Sequence, residues 1–159
     1  MRTLSLALLA GVLALTGCSR TYDSELLGLK YEPPRGFDFL EEKPGPPRLA
    51  RFSKGLELLS ADTALPAVEE AHLADILQKA WRSSGMPAEP GNVISSRVGT
   101  LHSAPVARYA LHDGGSRTLL YVVPRGASFL MVRFTSSDAG YAQLESLVER
   151  SLGSLRLGK

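Results

Sequence analysis

Cysteine is almost missing from this chain of 159 residues: one occurs, at position 18. A single thiol rules out an internal disulfide and a cysteine-rich metal site. Histidine is scarce as well. The three present, His72, His102 and His112, fall into no H-x-x-x-H or H-E-x-x-H spacing, so no metal is expected. No G-x-S-x-G occurs, which leaves a nucleophile elbow without local support. Asp113-Gly114-Gly115 and Pro124-Arg125-Gly126 lie between strand patterns rather than before a helix, so they read as turns and not as phosphate loops. Charge of either sign is not in excess: 18 basic and 16 acidic side chains leave +2. Phosphate neutralisation needs a concentrated basic surface, so no nucleic-acid partner is expected. No cofactor signature appears, and the expected cofactor set is empty. The apolar run Leu4–Leu15 has 12 residues. As a helix it would span about 18 Å, short of the ~30 Å hydrocarbon core, so it is no permanent membrane span.

What is present begins at that run. Arg2 gives it a positive flank, and together they read as the n- and h-regions of a signal peptide. Leu15-Thr16-Gly17-Cys18 follows and resembles the lipobox of bacterial lipoproteins: an aliphatic residue three places before the cysteine, small residues in the two places between. That resemblance implies a diacylglyceryl group on the Cys18 thiol and cleavage between Gly17 and Cys18. A further acyl chain, such as palmitate, would go on the new amino terminus. Two or three chains at about 0.8 kcal/mol per buried methylene make a stable anchor. The competing reading is a conventional secretory leader followed by a buried free cysteine; no A-x-A pattern lies near Cys18 to support it. Ser19, rather than an aspartate, follows the cysteine; by the same resemblance to bacterial lipoproteins, that implies the outer rather than the inner membrane. The expected organisation is a leader over residues 1–17, a lipidated amino terminus and tether over 18–27, and one domain over 28–158, facing the periplasm.

Within that domain, Leu26–Glu32 reads as a strand broken by Pro33-Pro34. Glu41–Pro47, with three prolines, reads as a solvated loop, with a recognition loop as the alternative. Arg48–Ser53 and Leu56–Ala61 read as strands joined by Lys54-Gly55. A helix is expected from about Pro66, because Leu73, Ile76, Leu77, Ala80 and Trp81 share one face. Glu69 and Glu70 would occupy its first turn. Val93–His102, Pro105–His112, Arg117–Val123 and Ser128–Thr135 then form a meander. The last two are apolar on both alternating sets, as strands covered on both faces are. Tyr141, Leu144, Leu147, Val148 and Leu152 line a second helix, with Ser137 or Asp138 placed to cap it, and Ser154–Leu157 adds an edge strand. The expected fold class is α+β: a mostly antiparallel sheet with helices packed on both faces.

This order resembles the fold family that includes the photosystem extrinsic protein PsbP, the yeast Ran-binding Mog protein and bacterial DcrB-type lipoproteins. The residues carrying the resemblance are KYEPPRGFDF at 30–39 and the closing half from Ser103 to Leu157, which ends in Ser154-Leu155-Arg156-Leu157. The chain departs from the pattern at its proline-rich loop and at Phe37, where a tryptophan is usual. The resemblance implies a PsbP/Mog-like α/β/α sandwich. Members of the fold mostly bind other proteins and are rarely enzymes.

No catalytic residue is therefore expected. His112-Asp113 is the most suggestive pair, and its position at a hairpin end reads as a solvated turn; an envelope hydrolase using it is the enzymatic alternative. Arg108, Arg117, Arg125 and Arg133 read as solvated strand ends and edges, with an acidic-partner site as the other reading. The candidate partner-binding residues are Trp81, Arg133 and Arg125. Arg133 interrupts an apolar strand and would need a counter-charge if covered. The expected function is a membrane-anchored, non-catalytic protein-binding or assembly module, held to the bilayer through Cys18 and meeting a protein partner in the envelope. A chaperone or carrier for an apolar helix or lipid is the remaining alternative.

Overall fold

The computed structural model describes residues 20–86 and 88–158. The leader, Leu15, Thr16, Gly17 and Cys18 lie outside the described residues. Among the described residues, two α-helices and ten strands form in this order: β1 (Tyr22–Ser24), β2 (Leu29–Tyr31), β3 (Phe39–Lys43), β4 (Arg48–Phe52), β5 (Leu56–Ala61), α1 (Leu73–Ser83), β6 (Asn92–Leu101), β7 (Ala104–Asp113), β8 (Ser116–Arg125), β9 (Ser128–Ser137), α2 (Asp138–Ser151) and β10 (Arg156–Leu157). Seven strands make one sheet in the order 3-4-5-9-8-7-6, and β1, β2 and β10 make a second, small one. Every pairing in both is antiparallel. None of the described helices is long and apolar enough to cross a membrane.

Successive side chains of a strand point to opposite faces, and the central strands use both. Leu119 and Val123 of β8 and Leu130, Val132 and Phe134 of β9 join a cluster containing Tyr141 and Val148 of α2. Leu120 and Val122, with Phe129 and Met131, join a second cluster containing Leu73, Ile76, Leu77 and Ala80 of α1. All of these are buried. Each buried Val, Leu, Ile, Phe or Met side chain among them contributes about 1.5–3 kcal/mol on leaving water, so the two alternating sets hold the centre of the sheet from both sides.

The meander keeps its expected strands because its turns are well specified. His102 and Ser103, both at positive φ, turn β6 into β7, and Gly114 and Gly115, also at positive φ, turn β7 into β8. Gly55 is required for a different reason. A Cβ there would meet the Thr135 carbonyl oxygen at 2.0 Å, so only glycine lets the β4–β5 turn pass β9. The Ser137 hydroxyl accepts the Gly140 N–H at 3.2 Å and caps α2.

Four expectations are corrected. The first strand divides into β1 and β2, joined by a turn in which the Leu27 N–H donates to Ser24 Oγ at 2.9 Å. The folded unit consequently begins at Tyr22, not at residue 28, because Ser24 and Leu27 are already buried. Glu41–Lys43 belong to β3 rather than to a loop, since cross-strand pairing with Arg51, Ala50 and Leu49 compensates for their polarity. Helix α1 starts at Leu73, preceded by a 3-10 turn over Glu70–His72. The reason is on its face: the places one turn before Leu73 are Glu69 and Glu70, which offer nothing to bury.

Candidate functional site

His112 and Asp113 end β7. The His112 Nε2 lies 3.5 Å from Asp138 Oδ1, at the start of α2, and Arg117 Nε approaches the same oxygen at 3.6 Å. These side chains rim a shallow cleft of about 440 Å³ that also includes Asn92 and Ile94. His102 sits at the other end of β7, its Nε2 2.8 Å from the Leu155 carbonyl. Ten residues of strand separate the two rings by roughly 30 Å. Among the described residues no group of three His, Cys, Asp or Glu side chains could hold a metal.

Arg133 has the counter-charge its position calls for. It stands opposite Glu57 in the β5–β9 register, and its Nε donates to Glu57 Oε2 at 2.9 Å. The pattern continues outward. Arg51 donates to Glu57 at 2.9 Å and to Glu41 at 2.8 Å, with Glu41 and Arg51, then Arg51 and Glu57, opposite one another. The result is an alternating ladder, Glu41–Arg51–Glu57–Arg133, across four neighbouring strands. Hydrogen bonds from Lys43 and Arg51 hold the Glu41 carboxyl below the usual carboxylate range. Only 20% of the Arg133 side chain and 15% of Glu57 is exposed, so this arginine is neutralised within the protein. A cleft of about 800 Å³ lies beside the ladder, between the Pro44–Pro47 loop and Ser84–Met86.

Trp81 and Arg125 also have partners within the protein. The Trp81 indole is half-buried against the α1-side cluster, and its Nε1–H donates to the Ala88 carbonyl at 2.5 Å. Arg125 donates to the Leu27 and Gly28 carbonyls at 2.8 and 3.1 Å, clamping the β1–β2 turn onto the end of β8. Burial, with the nearby charge of Arg48, pushes its pKa below the usual arginine value. Arg48 is itself engaged by Asp62 at 2.6 Å. Structure thus brings Arg125 to the small sheet, Arg133 to the ladder and Trp81 to the end of α1; it does not assemble them into one site.

Two features escaped the sequence. The first is Arg108, only 8% exposed and not solvated as expected. Its guanidinium reaches Glu149 at 2.7 Å and Glu145 at 3.0 Å, on successive turns of α2. Tyr121 donates to Glu149 at 2.8 Å and Tyr141 to Glu145 at 3.0 Å. Burial is the largest single influence on Glu149 and raises its pKa. Hydrogen bonds from Tyr121 and Arg108, with the charges of Arg108 and Arg97, outweigh it and leave the carboxyl below its usual range. Tyr121, mainly through burial, is pushed up to about 12. The network docks α2 onto the sheet; Glu145 and Glu149 at i, i+4 were the available signal.

The second feature is the pair of sheet edges. Among the described residues β6 pairs only with β7, and it carries Val93 and the bulged Ile94, each 49% exposed. The outward N–H of Val98 donates to Glu70 Oε1 at 3.2 Å, which closes the edge at that point. Ser96 shares the strand parity of Val98, so its N–H also points away from β7. At the opposite edge, β3 exposes Phe39 (49%) and Leu40 (61%).

With strand order and helices known, the likeness to solved structures can be placed. The solution structure of cyanobacterial PsbP (CyanoP) from Synechocystis sp. PCC 6803 matches 93% of this chain and 98% of its own, with a TM-score of 0.60 at 11% identity. The fold is PsbP-like. A crystal structure from Bacteroides thetaiotaomicron VPI-5482 matches 87% of this chain and 48% of its own, with a TM-score of 0.51 at 12% identity. At such identities the likeness is one of fold alone. No family model and no curated protein matches the sequence. Phe37 of the opening stretch is buried, edge-on to Phe134 with ring centroids 6.1 Å apart.

Proposed function

We propose that this protein is a lipid-anchored, non-catalytic binding module of the cell envelope, and that it receives an extended segment of a protein partner along the outer side of β6. Its domain is read as an α/β/α sandwich, α1 on one face of the large sheet and α2 on the other. Leu15-Thr16-Gly17-Cys18 supports the anchor, through thioether lipidation of Cys18 after cleavage at Gly17, with the outer membrane favoured by Ser19. The observation carrying the binding reading is the β6 edge. Among the described residues no strand flanks its outer side, where the Glu70 carboxylate covers the Val98 N–H alone; Val93 and the bulged Ile94 are half-exposed, and only Arg97 is charged. An open edge offers main-chain hydrogen bonds to an incoming strand, and alternate apolar side chains supply selectivity. Arg133, Arg125 and Trp81, each engaged internally, are read as scaffold rather than as partner contacts.

A photocrosslinking residue at position 94, in the full lipidated chain in its own membranes, tests this. The expected result is one discrete adduct that disappears in a Ser96→Pro background whose thermal unfolding is unchanged. Proline removes an outward N–H and leaves the ladder to β7 intact. An adduct indifferent to Ser96→Pro, or none at position 94 while a partner still co-purifies, contradicts the reading.

A further inference from the structure

We infer that the β3 end of the domain, through Phe39 and Leu40, seats in the interfacial layer of the bilayer that carries the anchor. The inference rests on the lipoprotein reading of Cys18 and adds to it an orientation and a contact surface.

Chain length sets how far the domain can stand from the bilayer. The folded unit begins at Tyr22, which pairs with Tyr31 as part of β1. Four residue steps separate Cys18 from Tyr22, a reach of at most about 14 Å. A lipidated sulfur lies at the glycerol level, so Tyr22 stays within that distance of the bilayer, and whatever surrounds Tyr22 faces it.

What surrounds Tyr22 is the aromatic end of the molecule. Its ring stacks on Phe39 at 5.2 Å between centroids and meets Phe52 edge-on at the same distance. With Phe37 these rings line an open cleft of about 760 Å³. Arg20 and Asp38, paired at 3.4 Å and both exposed, stand at its rim. Leu40 is the extra residue of a bulge, since Phe39 opposes Phe52 and Glu41 opposes Arg51. A bulge at an edge re-aims its side chain away from the ladder. Two large apolar residues left about half in water, beside aromatic rings with a polar rim, match the composition that partitions into a headgroup layer. Tethering makes the contact intramolecular, so even a weak affinity is satisfied. The bilayer is the occupant already held there by the chain; a protein partner at this end would have to displace it.

The test uses the lone cysteine. In the lipidated chain Cys18 is a thioether, so Leu40→Cys creates a single free thiol, and Ile94→Cys creates one at the opposite edge. Each is labelled with the environment-sensitive NBD fluorophore in vesicles of phosphatidylethanolamine and phosphatidylglycerol. Expected at position 40 is a several-fold rise in emission with quenching by spin-labelled lipid; position 94 changes little. Equal exposure of both labels, in a chain whose mass carries lipid on Cys18, overturns the seating alone. Two labels per chain mean a free Cys18 thiol, and that outcome overturns both the anchor and the seating.

Discussion

β3 closes one side of the large sheet with five residues, three of them charged, and β6 closes the other with ten, of which Arg97 alone is charged. β3 is bulged at Leu40 and runs into Pro44–Pro47, which cannot extend a ladder. β6 is bulged at Ile94, near its start, then runs regularly, and the Glu70 carboxylate covers one N–H. Shortness, charge and proline are ways to keep an edge from pairing with another strand. The difference teaches that strand addition is guarded against at β3 and left available on β6 between its bulge at Ile94 and the covered Val98. The apolar pair at β3 therefore suits a surface without strand character, such as a bilayer, and that at β6 suits a strand.

Both edges depend on one centre, and the strongest way to break the comparison is to loosen it. Phe134 is fully buried in β9, stacked on Tyr141 and edge-on to Phe37. Phe134→Ala should cost about 3–5 kcal/mol in denaturant unfolding, and β3 and β6 should lose amide protection together. If one edge held its protection while the other lost it, the sheet would not be a single cooperative unit.

Arg108→Ala should act on one edge more than the other. It leaves Glu145 and Glu149 without their shared cation, at a cost of about 2 kcal/mol, below the figure for a fully buried pair because both carboxylates are partly wet. Because Arg108 lies on β7, hydrogen exchange should rise in β6, β7 and α2 before it rises in β3 and β4. Uniform loss would mean that the network supports the fold globally rather than locally.

Acid should probe the same network more gently. The folded Glu149 carboxyl lies below its usual range, so its stabilisation is fully present above the unfolded value of about 4.3. It is lost as pH falls through the lower folded value. Unfolding midpoints followed downward from pH 6 should decline in that window, and Glu149→Gln should flatten the decline. A variant as pH-dependent as the parent would remove Glu149 from the explanation.

The smallest expected effect on stability is at the β6 edge. Ser96→Pro should change stability by no more than about 0.5 kcal/mol, because the residue is exposed and its outward N–H is unpaired in the ladder. Glu70→Ala should likewise change little, but it uncovers the Val98 N–H and should raise self-association measured by sedimentation. Unchanged sedimentation would mean that Glu70 does not guard the edge.

The sequence made the meander from β6 to β9 and helix α2 legible, because alternation, glycine turns and a serine cap all specify them locally. It concealed β1 and β3. Tyr22–Ser24 is three residues long and half polar, and Glu41–Lys43 is charged throughout; both become strands only through partners elsewhere in the chain. Pairing of β5 with β9 brings Glu57 to Arg133 across 76 residues, and Arg108 finds Glu149 across 41. No local pattern encodes either meeting. Arg133 showed its need for a counter-charge by interrupting an apolar strand, but the identity of Glu57 required strand order. The edges were hidden for the same reason, since which strand is outermost is a property of the whole sheet.

The central claim is that one acylated sulfur holds this domain at a bilayer, and intact-mass measurement of the protein extracted from its own membranes tests it most directly. The account predicts a chain that starts at Cys18 and carries a diacylglyceryl adduct on that residue. A chain still bearing residues 1–17, or one starting near Cys18 with an unmodified thiol, would contradict it.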